Sequence, residues 1–137
     1  MTRFKTRIRI LVGVLAVAFS IGTTTFAAIT PASAATVGTT RAYAAVVVTG
    51  PSSARVTWSC HTWGWRPSGT IKIHCKMYWG GTLLSNLSRT CSNTTWCYLP
   101  ASGSYSETVP LIPNGLKVVA TGTGPAGTSS NTAYGSL

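Results

Sequence analysis

The sequence predicts an all-β fold: a small disulfide-stapled β-sandwich, immunoglobulin-like in architecture. Two stretches, residues 55–62 and 70–79, alternate apolar and polar side chains, which is the period of a half-buried strand. Turn-forming groups of glycine, proline, serine and asparagine recur about every 8 to 12 residues, a spacing typical of sandwiches. The four cysteines form an even set, which favours disulfides in a short exported chain. A small β-barrel is the alternative fold, because it uses similar short strands.

The first 34 residues have the layout of a secretory signal peptide. Cations at positions 3, 5, 7 and 9 precede an apolar core at residues 10–21. Small residues then lead to an A-x-A cleavage site at residues 32–34. An uncleaved membrane anchor is the alternative, but a spanning helix needs about 20 predominantly apolar residues and this core is shorter. We therefore expect a secreted protein, and the Ala- and Thr-rich style of the chain is typical of bacteria.

Removal of residues 1–34 changes the charge of the protein. It takes away four of the eleven basic residues, which leaves seven cations against one carboxylate, Glu107, and a net charge of +6. Residues 35–42 are predicted to be a flexible lead-in, and residues 43–137 a single β domain. The positive balance favours anionic partners. No nucleic-acid-binding motif occurs, and only the signal peptide is expected to contact a membrane.

Seven or eight short strands are predicted along the domain, separated by turn signals. Pro110 indicates an edge strand or a strand end, since proline cannot donate a ladder hydrogen bond. Gly80-Gly81 and residues 113–115 (PNG) mark turns, and residues 122–130 (GTGPAGTSS) are predicted to be a loop. The predicted strands span residues 43–49, 55–62, 70–79, 87–91, 96–99, 105–111, 116–121 and 131–134.

The cysteine pairing follows from a predicted hairpin. If residues 55–62 and 70–79 pair about the turn at 66–69, Cys60 faces Cys75 on the apolar side, and a one-residue slip breaks this agreement. The same reasoning pairs Cys91 with Cys97 across a tight turn. In the chain-entropy model these two disulfides contribute about 3 and about 2.4 kcal/mol. A zinc site of four cysteines is the alternative, but no C-x2-C spacing occurs.

The predicted hairpin also brings two histidines together. His61 and His74 would lie opposite each other on the polar face, as a weak candidate for a metal site or a pH-responsive pair. A zinc or copper site usually has three or four ligands, and no third ligand is evident. The simpler interpretation is two solvated histidines in a cross-strand pair. No metal and no cofactor are predicted.

Titratable groups for catalysis are scarce. A glycosidase of the usual kind uses two carboxylates, whereas Glu107 is the only acidic residue in the chain. A Ser-His-Asp triad lacks its aspartate, and no G-x-S-x-G sequence occurs. The sequence therefore predicts a protein that is not an enzyme.

A tryptophan-rich turn is the main candidate for binding. The segment at residues 63–66 (WGWR) carries two tryptophans that are hard to bury together in a small sandwich. Exposed rings beside cations suit sugar stacking or anionic polymers. The alternative is that one or both rings cap the end of the core. The candidate contact residues are Trp63, Trp65, Arg66, Lys72, Lys76 and Tyr78.

These observations predict a secreted, non-catalytic binding protein for anionic or carbohydrate polymers at a cell surface. One alternative is an exported protein-directed factor, such as a protease inhibitor or an antagonistic toxin, with a protein partner held by the stapled loop at residues 92–96. Another alternative is a structural component of the cell envelope.

Overall fold

The computed structural model of the protein describes residues 35–112 and 115–137. Within them no helix is long and apolar enough to cross a membrane. The predicted signal peptide and part of the predicted turn at 113–115 lie outside the described residues. The strands are β1 Thr39–Gly50, β2 Ser53–Trp63, β3 Gly69–Trp79, β4 Thr82–Thr94, β5 Cys97–Leu99, β6 Tyr105–Pro110, β7 Leu116–Gly124 and β8 Gly127–Gly135.

The strands form two antiparallel sheets, which confirms the predicted all-β sandwich. In the first, here called the β2 sheet, β2 pairs along one side with β1 and along the other with β5 and β6 in succession. In the second, the β3 sheet, the order is β4-β3-β7-β8. β2 and β3, each paired on both sides, carry the alternating pattern seen in the sequence, because their inward faces pack on the opposite sheet.

The predicted hairpin between β2 and β3 is wrong, although the predicted cysteine pairs are confirmed. Cys60 on β2 and Cys75 on β3 form a disulfide between the two sheets, with the Cα atoms 5.7 Å apart. Cys91 on β4 and Cys97 on β5 form a second disulfide that also joins the sheets. Alternation fixes which face of a strand is buried, but it does not fix which strand is the neighbour. The turn after β2 therefore crosses between sheets.

The core is built from the inward faces of both sheets, as the alternation predicts. Fully burying a large apolar side chain in this core contributes roughly 1.5–3 kcal/mol to the free energy of unfolding. Trp79 also satisfies its ring nitrogen, because Nε1 donates a 2.8 Å hydrogen bond to the Pro110 carbonyl oxygen. The buried apolar residues of the central strands and of β7 are Ala54, Val56, Trp58, Cys60, Ile71, Ile73, Cys75, Met77, Trp79, Leu116, Val118 and Ala120.

Several strands are longer than predicted. β1 begins at Thr39 instead of residue 43, so the predicted lead-in at 35–42 is shorter, and Thr40 and Ala42 are buried. β7 and β8 extend to a two-residue connection at 125–126, where a loop at 122–130 was predicted. These segments are rich in threonine, serine and glycine and carry little apolar alternation. Ladder pairing with a neighbour extends them beyond what their own pattern indicates.

Trp65 closes one end of the sandwich. Its side chain is fully buried, and its Nε1 donates a 2.6 Å hydrogen bond to the hydroxyl of Thr62, which is also fully buried. The Thr40 hydroxyl lies 3.0 Å from that of Thr62. Gly38 and Gly124 provide the space, since a Cβ at either position would collide with the indole. The absence of two side chains thus makes room for one large ring.

Removing the Cys60–Cys75 disulfide by paired alanine substitution is expected to lower the free energy of unfolding by about 3 kcal/mol. The matched removal of Cys91–Cys97 should cost less, because its cysteines are 6 residues apart in sequence instead of 15 and Cys91 is only half-buried. Urea unfolding monitored by tryptophan fluorescence measures both losses. A larger loss for Cys91–Cys97 would show that the disulfide between β2 and β3 is not the more stabilising of the two.

Substitution of Gly124 by alanine is expected to destabilise the fold by about 1–3 kcal/mol through overpacking. The new Cβ would lie 2.5 Å from Cε3 of the buried Trp65 ring. Gly50→Ala is the control, because its Cβ meets only the Ser53 hydroxyl, at 3.0 Å, and that group can rotate away. Urea midpoints and near-ultraviolet circular dichroism measure the difference. Equal stability of the two variants would show that the Trp65 site relaxes freely.

Candidate functional site

The six residues predicted to form one contact surface lie in separate places. Trp65 is buried, so its predicted role as an exposed ring is wrong, and the alternative that it caps the core is confirmed. Trp63, 36% exposed, and the exposed Arg66 lie at the C-terminal end of β2 and just beyond it. The others, Lys72, Lys76 and Tyr78, lie on the outer face of the β3 sheet.

The predicted pairing of His61 with His74 is also wrong, because the two residues belong to different sheets. His61 lies on the outer face of the β2 sheet, while Nε2 of His74 is hydrogen-bonded to Oδ1 of Asn86 on the outer face of the β3 sheet. Within residues 35–112 and 115–137, no group of three or more histidine, cysteine, aspartate and glutamate side chains could hold a metal ion.

Four aromatic rings form a continuous row across the outer face of the β2 sheet. The centroids of Tyr43 and His61 are 5.0 Å apart, those of His61 and Tyr98 4.6 Å, and those of Tyr98 and Trp96 4.9 Å. The two ends are the most exposed members, with Tyr43 at 48% and Trp96 at 45%. We call Tyr43, His61, Tyr98 and Trp96 the aromatic row.

Strand register brings the row together. β2 lies between β1 and β5, and His61 on β2 pairs directly with Tyr98 on β5. Tyr43 on β1 pairs with Ser59, which is two residues before His61 on the same face of β2. Side chains two residues apart on a strand share a face, and diagonal neighbours across strands are within reach of large rings. The row therefore depends on β1, β2 and β5 being neighbours. Tyr43 and Tyr98 carry no motif that singles them out in the sequence.

The end of the row at Trp96 is held by the second disulfide. Trp96 directly precedes Cys97, and its backbone N–H donates a 3.3 Å hydrogen bond to the Thr94 hydroxyl. Arg89 adds a further tie, since its Nη1 donates a 2.9 Å hydrogen bond to the Tyr98 carbonyl oxygen. A short strand such as β5 has few ladder hydrogen bonds of its own. These contacts fix where the exposed indole is presented.

A cavity of about 400 Å³ opens beside the row. Tyr43 and His61 contribute to its wall, and Ser104, in the segment between β5 and β6, forms part of its rim. Trp58 also borders it, and its Nε1 is the one buried side-chain nitrogen or oxygen of the described residues without a hydrogen-bond partner. Its lining residues are Tyr43, Ala44, Ala45, Thr57, Trp58, Ser59, His61 and Ser104.

The surroundings of the row are positive or neutral. Arg41 pairs with His61 in the ladder, and Arg55 lies further along the same outer face. The single acidic side chain of the sequence, Glu107, is on β6. Partial burial lowers the pKa of His61 below its ordinary value of 6.5, because desolvation disfavours the charged imidazolium. The middle of the row is therefore an uncharged ring at neutral pH.

Comparison with known proteins assigns no family. No protein-family model matches the chain, and no curated protein matches it significantly. Among solved structures, a calcium-binding mutant of Bacteroides uniformis beta-glucuronidase 2 shows 12% identity and a TM-score of 0.48, over 73% of this chain and 14% of that chain. The same enzyme covalently bound to cyclophellitol-6-carboxylate aziridine shows 14% identity and a TM-score of 0.46, over 70% and 13% respectively. The protein thus spans only a small part of those chains.

Proposed function

We propose that the protein is a secreted, non-catalytic binding protein that contacts carbohydrate polymers at a cell surface through the aromatic row. The observation that carries this proposal is the row itself, in which neighbouring centroids lie 4.6 to 5.0 Å apart across an exposed sheet face. The C–H face of a sugar ring packs on an aromatic ring, and tyrosine and tryptophan add a polar group at the edge. A row of rings can follow a polymer over several units.

The members of the row have different roles in this proposal. Tyr43 and Trp96 are exposed enough to stack on sugar rings, while His61 and Tyr98 hold them apart at a fixed distance. The cavity beside the row receives one sugar unit, and hydroxyls around it, such as that of Ser104, bond to sugar hydroxyls. Trp63 lies on the same outer face two residues beyond His61 and lengthens the platform.

Two further features support the proposal. The two disulfides are compatible with an extracellular protein, since oxidised cysteines persist outside the cytosol. Hydrolysis of a glycosidic bond usually needs a pair of carboxylates, and this chain has one acidic residue. Binding without cleavage is therefore the role we assign to the site.

A second candidate is the exported factor that acts on a protein. The stapled segment at residues 92–96 presents Trp96, and it includes Asn93 in the left-handed region with a φ of 56°. A constrained loop with an exposed aromatic ring suits insertion into a protein partner. This alternative needs Trp96 but not Tyr43, which lies at the opposite end of the aromatic row.

The double substitution Tyr43→Ala with Trp96→Ala is expected to weaken binding to carbohydrate about tenfold or more, at roughly 1 kcal/mol for each ring removed. Pelleting with insoluble chitin and with purified peptidoglycan measures the affinity. Because uncharged aromatic rings contact the sugar, binding to chitin, which is uncharged, should change little between low and high salt.

Tyr134→Ala is the control for this experiment, since that ring is 73% exposed but lies on the outer face of the β3 sheet. It should bind as the unchanged protein does. Loss of carbohydrate binding on Trp96→Ala alone, with Tyr43→Ala unaffected, would contradict the assignment of the whole aromatic row to one contact. Failure of the unchanged protein to bind either polymer would contradict the proposal.

The stability of the fold is expected to fall as the pH drops below about 6.5. Burial lowers the pKa of His61 in the fold, so the unfolded chain takes up the proton at higher pH. The contribution is fully present above the unfolded value of 6.5 and is lost as the pH falls through the lowered folded pKa. Urea midpoints at pH 7.5 and pH 5 measure it. His61→Gln should reduce the pH dependence, and an unchanged pH dependence in that variant would contradict this assignment.

A further inference from the structure

The outer face of the β3 sheet has a composition unlike that of the aromatic row. Lys72, Lys76 and Lys117 lie on it, with Lys72 and Lys76 four residues apart on one face of β3. A strand advances about 3.3 Å per residue, so the Cα atoms of these two lysines lie roughly 13 Å apart along β3. We call this surface, defined by the three lysines and the hydroxyl side chains between them, the lysine face.

Hydroxyl side chains lie beside Lys72 and in the next row of the sheet. Lys72 pairs with Thr90 on β4 and with Thr123 on β7, and the Thr123 hydroxyl lies 3.4 Å from that of Thr128 on β8. One row along, His74 pairs with Ser88 and with Thr121. The Ser130 hydroxyl donates a 3.4 Å hydrogen bond to Thr121 Oγ1. Hydroxyls in these two rows therefore lie on β4, β7 and β8, on both sides of Lys72 and His74.

No acidic side chain shares this face. The only acidic residue of the sequence, Glu107, is on β6 of the β2 sheet. Lys72 and Lys117 are exposed and Lys76 is half-buried, and Nζ of Lys117 lies 5.4 Å from the centroid of the Tyr78 ring. The three ammonium groups thus repel one another without an opposing charge on the same surface. A bound anion would relieve that repulsion.

We propose that the lysine face binds a linear polymer that carries phosphate groups. Ammonium groups act as compact point charges for phosphate oxygens, and serine and threonine hydroxyls donate further hydrogen bonds to them. The cations follow the β3 strand instead of clustering around a pocket, which suits an extended chain of charges. The rows of Lys72 and His74 are flanked by hydroxyls and not by apolar side chains, so we assign the surface to a polymer in water instead of a lipid bilayer. This site lies on the opposite sheet from the aromatic row and goes beyond the carbohydrate binding proposed above.

The test compares two variants that each lose two positive charges. Lys72→Gln with Lys76→Gln removes them from the lysine face, and Arg41→Gln with Arg55→Gln removes them from the outer face of the β2 sheet. The probe is long-chain inorganic polyphosphate, with the dissociation constant measured over a series of salt concentrations. The lysine pair should weaken binding about tenfold and reduce the slope of log affinity against log salt by about one to two. The arginine pair should change affinity by less than about threefold.

Equal losses in the two variants would overturn the proposal, because the net charge alone would then explain binding. Binding to vesicles of phosphatidylglycerol and phosphatidylcholine without binding to polyphosphate would also overturn it, in favour of a membrane surface. Pelleting of both variants with chitin, where it binds the unchanged protein, separates this proposal from the carbohydrate proposal. The lysine variant should retain that binding, since it leaves the aromatic row unchanged.

Discussion

The disulfide between Cys60 and Cys75 is the constraint on which the rest of the structure depends. It joins β2 and β3, each of which is paired on both sides within its own sheet. Because side chains alternate along a strand, fixing both cysteines inward also fixes the direction of every neighbour. His61 and His74, each next to a cysteine, must then point to the two outer faces. One covalent bond thus sets the core and separates the two surfaces.

Contacts at the sides of the sandwich complete this arrangement. On one side, Cys91–Cys97 and the hydrogen bond from Arg89 to Tyr98 join β4 to β5. On the other side, the backbone N–H of Ala42 on β1 donates a 2.9 Å hydrogen bond to Oδ1 of Asn131 on β8. Each link joins an edge of one sheet to an edge of the other. Covered edges offer fewer unpaired backbone groups to other chains.

The two outer faces differ because the two sheets draw their outward residues from different segments. The β2 sheet places Tyr43, His61 and Tyr98 in line, and the stapled segment before β5 adds Trp96. The β3 sheet instead presents lysines among serines and threonines. The inward faces of both sheets pack in one core. The proposed carbohydrate surface and the proposed phosphate-polymer surface therefore lie on opposite faces of one sandwich.

Local patterning determined much of this fold. The alternation of β2 and β3 identified which of their residues are buried, including Trp58 and Trp79, and the spacing of the cysteines led to the observed pairs. The Cys60–Cys75 pair was derived from a hairpin that does not exist. The pair is still correct, because two inward-facing cysteines can bond across two sheets as well as within one. β1, β7 and β8 are longer than predicted. Pairing with neighbouring strands extends them, and no local sequence pattern specifies those neighbours.

The candidate site was the least predictable part. Trp65 looked exposed in the sequence, and only the space left by Gly38 and Gly124, distant along the chain, allows its burial. The predicted contact residues lie in separate places, because the prediction required β2 and β3 to be neighbours in one sheet and they belong to different sheets. The sequence by itself determined the class of fold, the buried faces and the scarcity of carboxylates, since these depend on composition and on a period of two. Only the tertiary structure decided which strands are neighbours, and therefore which aromatic rings and which lysines share a surface.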